Sequence, residues 1–255
     1  MVAALRQPRP RSRTRRVGAA SQPFLSVVIP AFNEEGRISA TLKEVVDFLS
    51  TRRYRWEVVV ADDGSTDATA SLVMEWARRD ARVRLVSMPH GGKGWAVKHG
   101  MLAARGRYRF ICDADLSMPI EHLERFLPPR LEGYHIAIGS REVPGSRRMG
   151  EPLGRRLMGK AFGLIVRLSL LPGIRDTQCG FKCIEAETAT SLFPALRLDG
   201  FSFDVELLML ARRRGLRLVE VPIDWHYRPQ SKVHPLRDAA RMLADVVRLR
   251  LRPSR

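Results

Sequence analysis

The sequence predicts an α/β protein: a mostly parallel central sheet with helices on both faces. Three observations carry this. Strand-like and helix-like hydrophobic patterns alternate from Leu25 to Arg141. Each polar motif falls directly after a strand, and carboxylates gather at three of those strand ends, Glu34/Glu35, Asp62/Asp63 and Asp113/Asp115. An open sheet of this kind binds its ligand across the carboxyl ends of its strands.

The elements follow in order. Leu25–Ala31 is a β-rich apolar run closed by proline. After Asn33-Glu34-Glu35-Gly36, the residues Ile38, Leu42, Val45, Val46 and Leu49 recur at helical spacing. Residues 56–61 form a second strand that ends in Asp62-Asp63-Gly64-Ser65-Thr66-Asp67. Asp63 or Ser65 is expected to cap the next helix, which turns Ala68, Leu72, Val73 or Met74, and Trp76 inward. Residues 83–86 are a third strand, and His90-Gly91-Gly92-Lys93-Gly94 turns into a helix with Ala96, Val97, Met101 and Leu102. The fourth strand, 107–115, alternates Tyr108, Phe110 and Cys112 with Arg109 and Ile111. It ends in Asp113 and Asp115, which a strand would place on one side. Two anions so close call for a cation between them, and a hard divalent ion held through carboxylate and ligand phosphate suits the position. A fifth strand, 134–138, precedes Gly139-Ser140-Arg141.

Beyond Arg141 the pattern changes. Residues 153–171 read as a basic amphipathic helix or helix pair, stopped by Pro172-Gly173. A short strand is expected over 178–184, then the helix Phe203–Arg213 with Val205, Leu208, Met209 and Ala211 inward, and a last strand over 216–221. Leu236, Ala240, Leu243, Val247 and Leu251 line one face of a C-terminal helix, with Arg237, Arg241, Arg248 and Arg252 beside it. The expected division is a disordered basic arm over 1–22, one α/β domain over 23–235, and a basic amphipathic helix over 236–255.

Composition narrows the function. A formal charge of +17 and a pI near 11.1 predict a negatively charged partner: nucleic acid, an anionic membrane surface or a phosphorylated substrate. Cys112, Cys179 and Cys183 contain no CxxC pair, which argues against a disulfide framework and zinc and fits a reducing, cytoplasmic compartment. No apolar run of about 20 residues is present, so no membrane-spanning helix is expected. Arg6, Arg9, Arg11, Arg13, Arg15 and Arg16 come with prolines and no acid, and no signal-peptide core accompanies them. The dinucleotide fingerprint is missing after the first strand, where Pro30-Ala31-Phe32-Asn33-Glu34-Glu35 stands. Lys93 is followed by Gly94, so no P-loop forms either. Carboxylates at strand ends instead suit base amides, ribose hydroxyls and a metal.

On these residues the sequence resembles the family 2 inverting glycosyltransferases of GT-A fold, and among them the polyprenyl-phosphate (dolichyl-phosphate) β-glucosyltransferases. The resemblance covers residues 24 to 250. It is carried by Val28 through Glu35, Asp62 through Asp67, Gly92-Lys93-Gly94 and Asp113-Ala114-Asp115-Leu116-Ser117. Gln178-Cys179-Gly180-Phe181-Lys182, Phe203-Asp204-Val205-Glu206 and Trp225 through Lys232 are more specific to the polyprenyl-phosphate branch.

The resemblance implies a Rossmann-like nucleotide-sugar-binding domain and a set of roles. Pro30, Ala31, Asn33 and Glu35 would line the base and ribose pocket, with Asp62 accepting from the uracil ring and Asp63 beside it. Lys93 would reach the donor diphosphate, while Asp113, Ala114 and Asp115 would meet the nucleotide, and the two acids would hold Mg²⁺ or Mn²⁺. Arg141, Arg228 and Lys232 would hold phosphate, with Gln178 near the acceptor. Asp115, Lys93 and Arg141 are the residues expected to carry catalysis. The implied activity is hexose transfer, glucose from UDP-glucose first, to polyprenyl phosphate by an enzyme peripheral on the inner face of a membrane. GDP-mannose as donor and a saccharide as acceptor remain alternatives. A nucleic-acid-binding protein would fit the charge but leaves the carboxylates unexplained and shows no RRM, KH or helix-turn-helix signature, so no specific nucleic acid is expected.

Overall fold

The computed structural model describes residues 22–228 and 235–251; Lys232 and all but the last residue of the expected basic arm lie outside them. The strands in chain order are β1 (Leu25–Ala31), β2 (Trp56–Asp62), β3 (Val83–Ser87), β4 (Tyr108–Ile111), β5 (Ile136–Ser140), β6 (Arg147–Met149), β7 (Lys182–Glu185), β8 (Leu218–Pro222) and β9 (Asp224–His226). The helices are α1 (Ile38–Ser50), α2 (Thr69–Arg79), α3 (Lys93–Ala103), α4 (Leu153–Ser169), α5 (Ala186–Leu192), α6 (Phe203–Arg213) and α7 (Pro235–Leu251).

Among the described residues, one sheet runs β3-β2-β1-β4-β7-β5-β8, and β6 pairs with β9 apart from it. Strands β3, β2, β1 and β4 are mutually parallel, β5 and β8 are parallel to each other, and β7 is antiparallel to both β4 and β5. Strand order reverses between β1 and β4, so the crevice outside their carboxyl ends is a topological switch point.

Period-two alternation sorts the strand residues into two cores. Val27, Ile29, Val58, Val60 and Phe110 pack on one face with α1. Val28, Val59, Ile111, Ile138 and Ile184 pack on the other with α3 and α6. Both faces are covered, which is why β1 and β2 read as continuous apolar runs. Phe110 anchors β4: its ring meets Phe126 at 5.2 Å and Phe181 at 5.0 Å, both edge-on. Such pairs add about 0.5–1.5 kcal/mol each beyond the area they bury. The three cysteines are buried and unbridged.

Several expected boundaries shift. β5 starts two residues later than expected because Tyr134 packs in the core with its hydroxyl on the Phe126 carbonyl, outside the ladder. The segment before Lys182 is loop, so the strand expected over 178–184 shortens to β7. Helix α2 has Ala68 at its N-cap with no side-chain cap, because Asp63 and Ser65 bond elsewhere; Val73 is its buried apolar residue and Met74 is exposed. Among the described side chains of α7, Val246 and Leu249 are buried, while Leu243, Val247 and Leu251 face outward; the side chains of Leu236 and Arg237, and Arg252, lie outside the described residues.

Glycine placement yields a stability prediction. A Cβ on Gly100 of α3 would lie 2.5 Å from Val28 Cγ1 and 2.9 Å from Ala61 Cβ, whereas one on Gly159 of α4 would meet nothing within 4 Å. Gly100→Ala is expected to cost about 1–3 kcal/mol by overpacking. Gly159→Ala is expected to stabilise by up to about 1 kcal/mol through helix propensity. Urea unfolding of the two variants reads both signs; equal shifts would refute the packing of α3 on β1 and β2.

Candidate active site

The site is built where β1, β2 and β4 end. The loop after β1 and the loop after β2 are laced together. Asn33 sits in the left-handed region (φ +52°), a conformation that asparagine tolerates. Its N–H donates to Ser65 Oγ at 2.9 Å, and its Oδ1 accepts from Thr66 N at 2.8 Å. Glu34 N donates to Thr69 Oγ1 at 2.7 Å and Glu35 N to Asp67 Oδ2 at 3.1 Å. Glu35 Oε2 accepts from Ala68 N at 2.9 Å. The resemblance implies a base and ribose pocket for Asn33 and Glu35; in the structure their side chains hold one loop to the next, with Glu35 on the start of α2.

Asp63 is likewise structural. Its carboxylate accepts from Gly91 N at 2.8 Å and Gly92 N at 2.9 Å, and it pairs with His90 Nδ1 at 2.7 Å. That network fixes the turn into α3 and so aims Lys93, the first residue of the helix. Phe32 stacks on the His90 ring at 4.2 Å. Asp62 is buried at the end of β2, with a long 3.3 Å contact from Ser65 N to its Oδ1. Ala31 is buried at the end of β1, and Pro30 beside it is half-buried.

Strand β4 ends at Ile111, so Asp113 and Asp115 stand on a turn, and strand alternation does not set their directions. The turn is pinned by Thr41 Oγ1, which donates to the Ala114 carbonyl at 2.6 Å. Asp115 Oδ1 accepts from Ser117 N at 2.9 Å. Leu116 takes φ +43°, a strained value for a branched side chain, and such outliers concentrate at functional sites. Lys93 Nζ lies 2.7 Å from Asp113 Oδ1. Burial alone would lower the Lys93 pKa, but the charge of Asp113, then that of Asp204, outweigh it and hold the ammonium well above the ordinary lysine value. The cation required beside the two acids is thus supplied, in part, by the chain itself. Behind Asp113, a Cβ on Gly180 would stand 1.9 Å from Oδ2, so a side chain here would displace the Asp113 carboxylate.

Arg141 follows β5 as expected, but its guanidinium is engaged. Nε donates to Asp176 Oδ2 at 2.7 Å and Nη2 to Asp176 Oδ1 at 2.8 Å, and the Arg141 backbone N–H adds a third bond at 2.9 Å. Burial would raise the Asp176 carboxyl; the charge and hydrogen bonds of Arg141 outweigh it and hold the pKa at about 2. The Nε–Nη2 edge of the fork therefore faces Asp176. Asp176 was invisible beforehand, being one acid in a loop without a motif.

Gln178 sits half-buried, its Nε2 3.9 Å from Met242 Sδ of α7. Strand β9 reaches the Asp113 turn, because His226 N donates to the Ser117 carbonyl at 2.7 Å. Arg228, two residues further on, is exposed. Glu206 accepts from the backbone N–H groups of Arg197 and Leu198 at 2.9 and 2.8 Å and so braces that loop.

Comparison with known proteins agrees with this geometry. The family model described as Glycosyl transferase family 2 matches residues 26–186. A dolichyl-phosphate beta-glucosyltransferase of Dictyostelium discoideum is 33% identical over 243 residues, 90% of this chain and 74% of the relative. Those of Saccharomyces cerevisiae and Homo sapiens are 34% and 32% identical, each across 89% of this chain and 74% and 75% of their own lengths. Glucosyl-3-phosphoglycerate synthase from Mycobacterium tuberculosis, solved with UDP, superimposes with a TM-score of 0.65 at 22% identity. That match covers 91% of this chain and 82% of the other, and it shows the GT-A fold. A strand-end carboxylate site on such a sheet, matched along most of the chain, places the protein: it belongs to glycosyl transferase family 2.

Proposed function

We propose that this chain transfers glucose from UDP-glucose to polyprenyl phosphate with inversion at the anomeric carbon. The observation that carries the reading is the cluster at the switch point, where Lys93 and Asp113 meet beside Asp62 and Asp115. The activity named for relatives about a third identical supports it. So does the solved fold neighbour that holds Mn²⁺ and UDP-glucose.

In this reading Asp62, at the end of β2, accepts from the uracil N–H, and Pro30 and Ala31 wall the base. Lys93 meets the donor diphosphate. Gln178 lies towards the acceptor, whose phosphate falls to Arg228 and to Lys232 after it. The acceptor phosphate oxygen is already anionic at neutral pH. It attacks the anomeric carbon on the face opposite UDP; the new C–O bond forms as the bond to the β-phosphate oxygen breaks, and the electron pair leaves on UDP. No proton has to move, so no strong general base is required. Rate then comes from positioning and from the Lys93 charge on the leaving diphosphate.

Asp113 and Asp115 fit a hard divalent cation. Both are partly exposed carboxylates, and Gly180 keeps a side chain away from Asp113 Oδ2. Among the described residues no group of three or more His, Cys, Asp or Glu could hold a metal, so the remaining oxygens would come from the donor diphosphate. Bound there, Mg²⁺ or Mn²⁺ would supply Lewis-acid stabilisation of the leaving group.

Asp115→Asn tests this reading without dismantling the turn, because an amide oxygen can still accept from Ser117 N. Radiolabelled UDP-glucose, UDP-galactose and GDP-mannose are offered with polyprenyl phosphate, with and without chelator. Transfer from UDP-glucose is expected, to be lost with chelator and to fall by about 100-fold or more in Asp115→Asn. Undiminished transfer in the variant or in chelator would remove the metal role; transfer from GDP-mannose alone would reassign the donor.

The lipid acceptor calls for a membrane surface, and we assign it to α4 and α7. No described helix is long and apolar enough to cross a bilayer. Val166 is the one buried residue of α4, while Leu153, Leu157 and Leu168 are exposed with Arg156, Lys160 and Arg167 among them. Leu243, Val247 and Leu251 of α7 extend the apolar surface, beside the exposed Arg241, Arg248 and Arg250. Apolar and cationic side chains interleaved on two helices suit the interface of an anionic bilayer, where each Lys or Arg adds about 1 kcal/mol. Cosedimentation with vesicles containing phosphatidylserine is expected to weaken as salt rises. Leu157→Asp/Leu168→Asp is expected to weaken it by about tenfold or more with Tm unchanged. Equal binding by the double variant would move the contact elsewhere.

A further inference from the structure

Behind the Lys93–Asp113 pair lies a second ion pair that the proposed reaction does not use. Lys182, in β7, is fully buried, and its Nζ stands 2.7 Å from Asp204 Oδ1 and donates to the Cys179 carbonyl. Asp204 sits in the first turn of α6, where the helix N-terminus favours an anion, and is 4% exposed. Three close contacts bring that turn against the start of α3. A Cβ on Gly94 would lie 2.7 Å from Phe203 Cβ, one on Gly92 would lie 2.6 Å from the Asp199 carbonyl, and Trp95 N donates to Asp199 O at 3.2 Å. As a result Asp204 lies in the fields of two lysines, Lys182 and Lys93, while Lys93 lies in the fields of three carboxylates, Asp113, Asp204 and Asp115.

Four alternating charges therefore run from the sheet interior to its edge: Lys182, Asp204, Lys93, Asp113. Only one pairing scheme serves the edge. If Asp204 is satisfied by Lys182, the ammonium of Lys93 is left for Asp113. If Lys182 is removed, a buried carboxylate stands uncompensated beside a flexible lysine, and a buried unpaired charge is the costliest arrangement available. The Lys93 ammonium would then turn inward. We propose that Lys182 is a positioning residue for donor binding: by neutralising Asp204 it keeps Lys93 aimed at Asp113 and the donor diphosphate. This rests on the donor reading above and deepens it.

The test is calorimetric titration of the full chain with UDP-glucose and Mn²⁺, for wild type, Lys182→Gln and Lys182→Gln/Asp204→Asn, with Tm measured beside it. Lys182→Gln is expected to weaken binding by about tenfold or more, the scale of one charge-assisted contact. The second substitution removes the competing anion and is expected to return the affinity to within about threefold of wild type. A pair that only stabilises the fold would lower Tm and leave the affinity of the folded protein unchanged. Unchanged affinity in Lys182→Gln, or no recovery in the double variant, overturns the proposal. If Lys182→Gln fails to fold in buffer, all three proteins are titrated in trimethylamine N-oxide, which favours the folded state, and the same outcomes decide. A wild type that binds no UDP-glucose overturns the donor reading, and this inference with it; a wild type and a Lys182→Gln that bind alike overturn the inference alone.

Discussion

The ion pair between Lys93 and Asp113 is the interaction on which the rest of the site depends. It joins the start of α3 to the turn after β4 across the crevice where strand order reverses. Each partner is fixed from behind. Asp63 holds the Gly91 and Gly92 amides that open α3, and Gly180 leaves room for the Asp113 carboxylate where it stands. Without a cation at this place the carboxylates of the turn would repel one another. The pair therefore preorganises the edge before any ligand arrives.

Most of the acids at the strand ends have a different task. Glu35, Asp63 and Asp67 bind backbone amides and stitch adjacent loops together, which leaves Asp62, Asp113 and Asp115 as the acids best placed for a ligand. The arginines divide in a similar way. Arg141 is locked to Asp176 and Arg148 to Glu142 and Glu151, while Arg156 and Arg167 of α4 and Arg241, Arg248 and Arg250 of α7 stand exposed among leucines. A high positive charge is thus two things at once: internal pairs that brace the β5 end, and an outer surface open to anions.

How much of this was legible in the sequence follows from what each signal measures. Hydrophobic period reports burial, so β1, α1 and α6, buried on clear faces, could be read to within a residue or so. Tyr134 misled because it is buried without belonging to a ladder. Asp113, Asp115 and Lys93 stood out because motifs carried them. Thr41, which pins the turn that carries the two acids, and Asp176, which holds Arg141, are distant in sequence and ordinary in type. Pairing across 35 residues, as between Arg141 and Asp176, leaves no local trace.

The central claim is that the switch-point edge takes a nucleoside diphosphate through Lys93. Calorimetric titration of UDP and of uridine into wild type and Lys93→Met, with Mn²⁺ present, separates the diphosphate contact from the base contact. The account predicts UDP binding weakened by about tenfold to a hundredfold in Lys93→Met, the scale of a charge-assisted contact, with uridine bound equally by both. UDP binding of equal strength in the two proteins would contradict it.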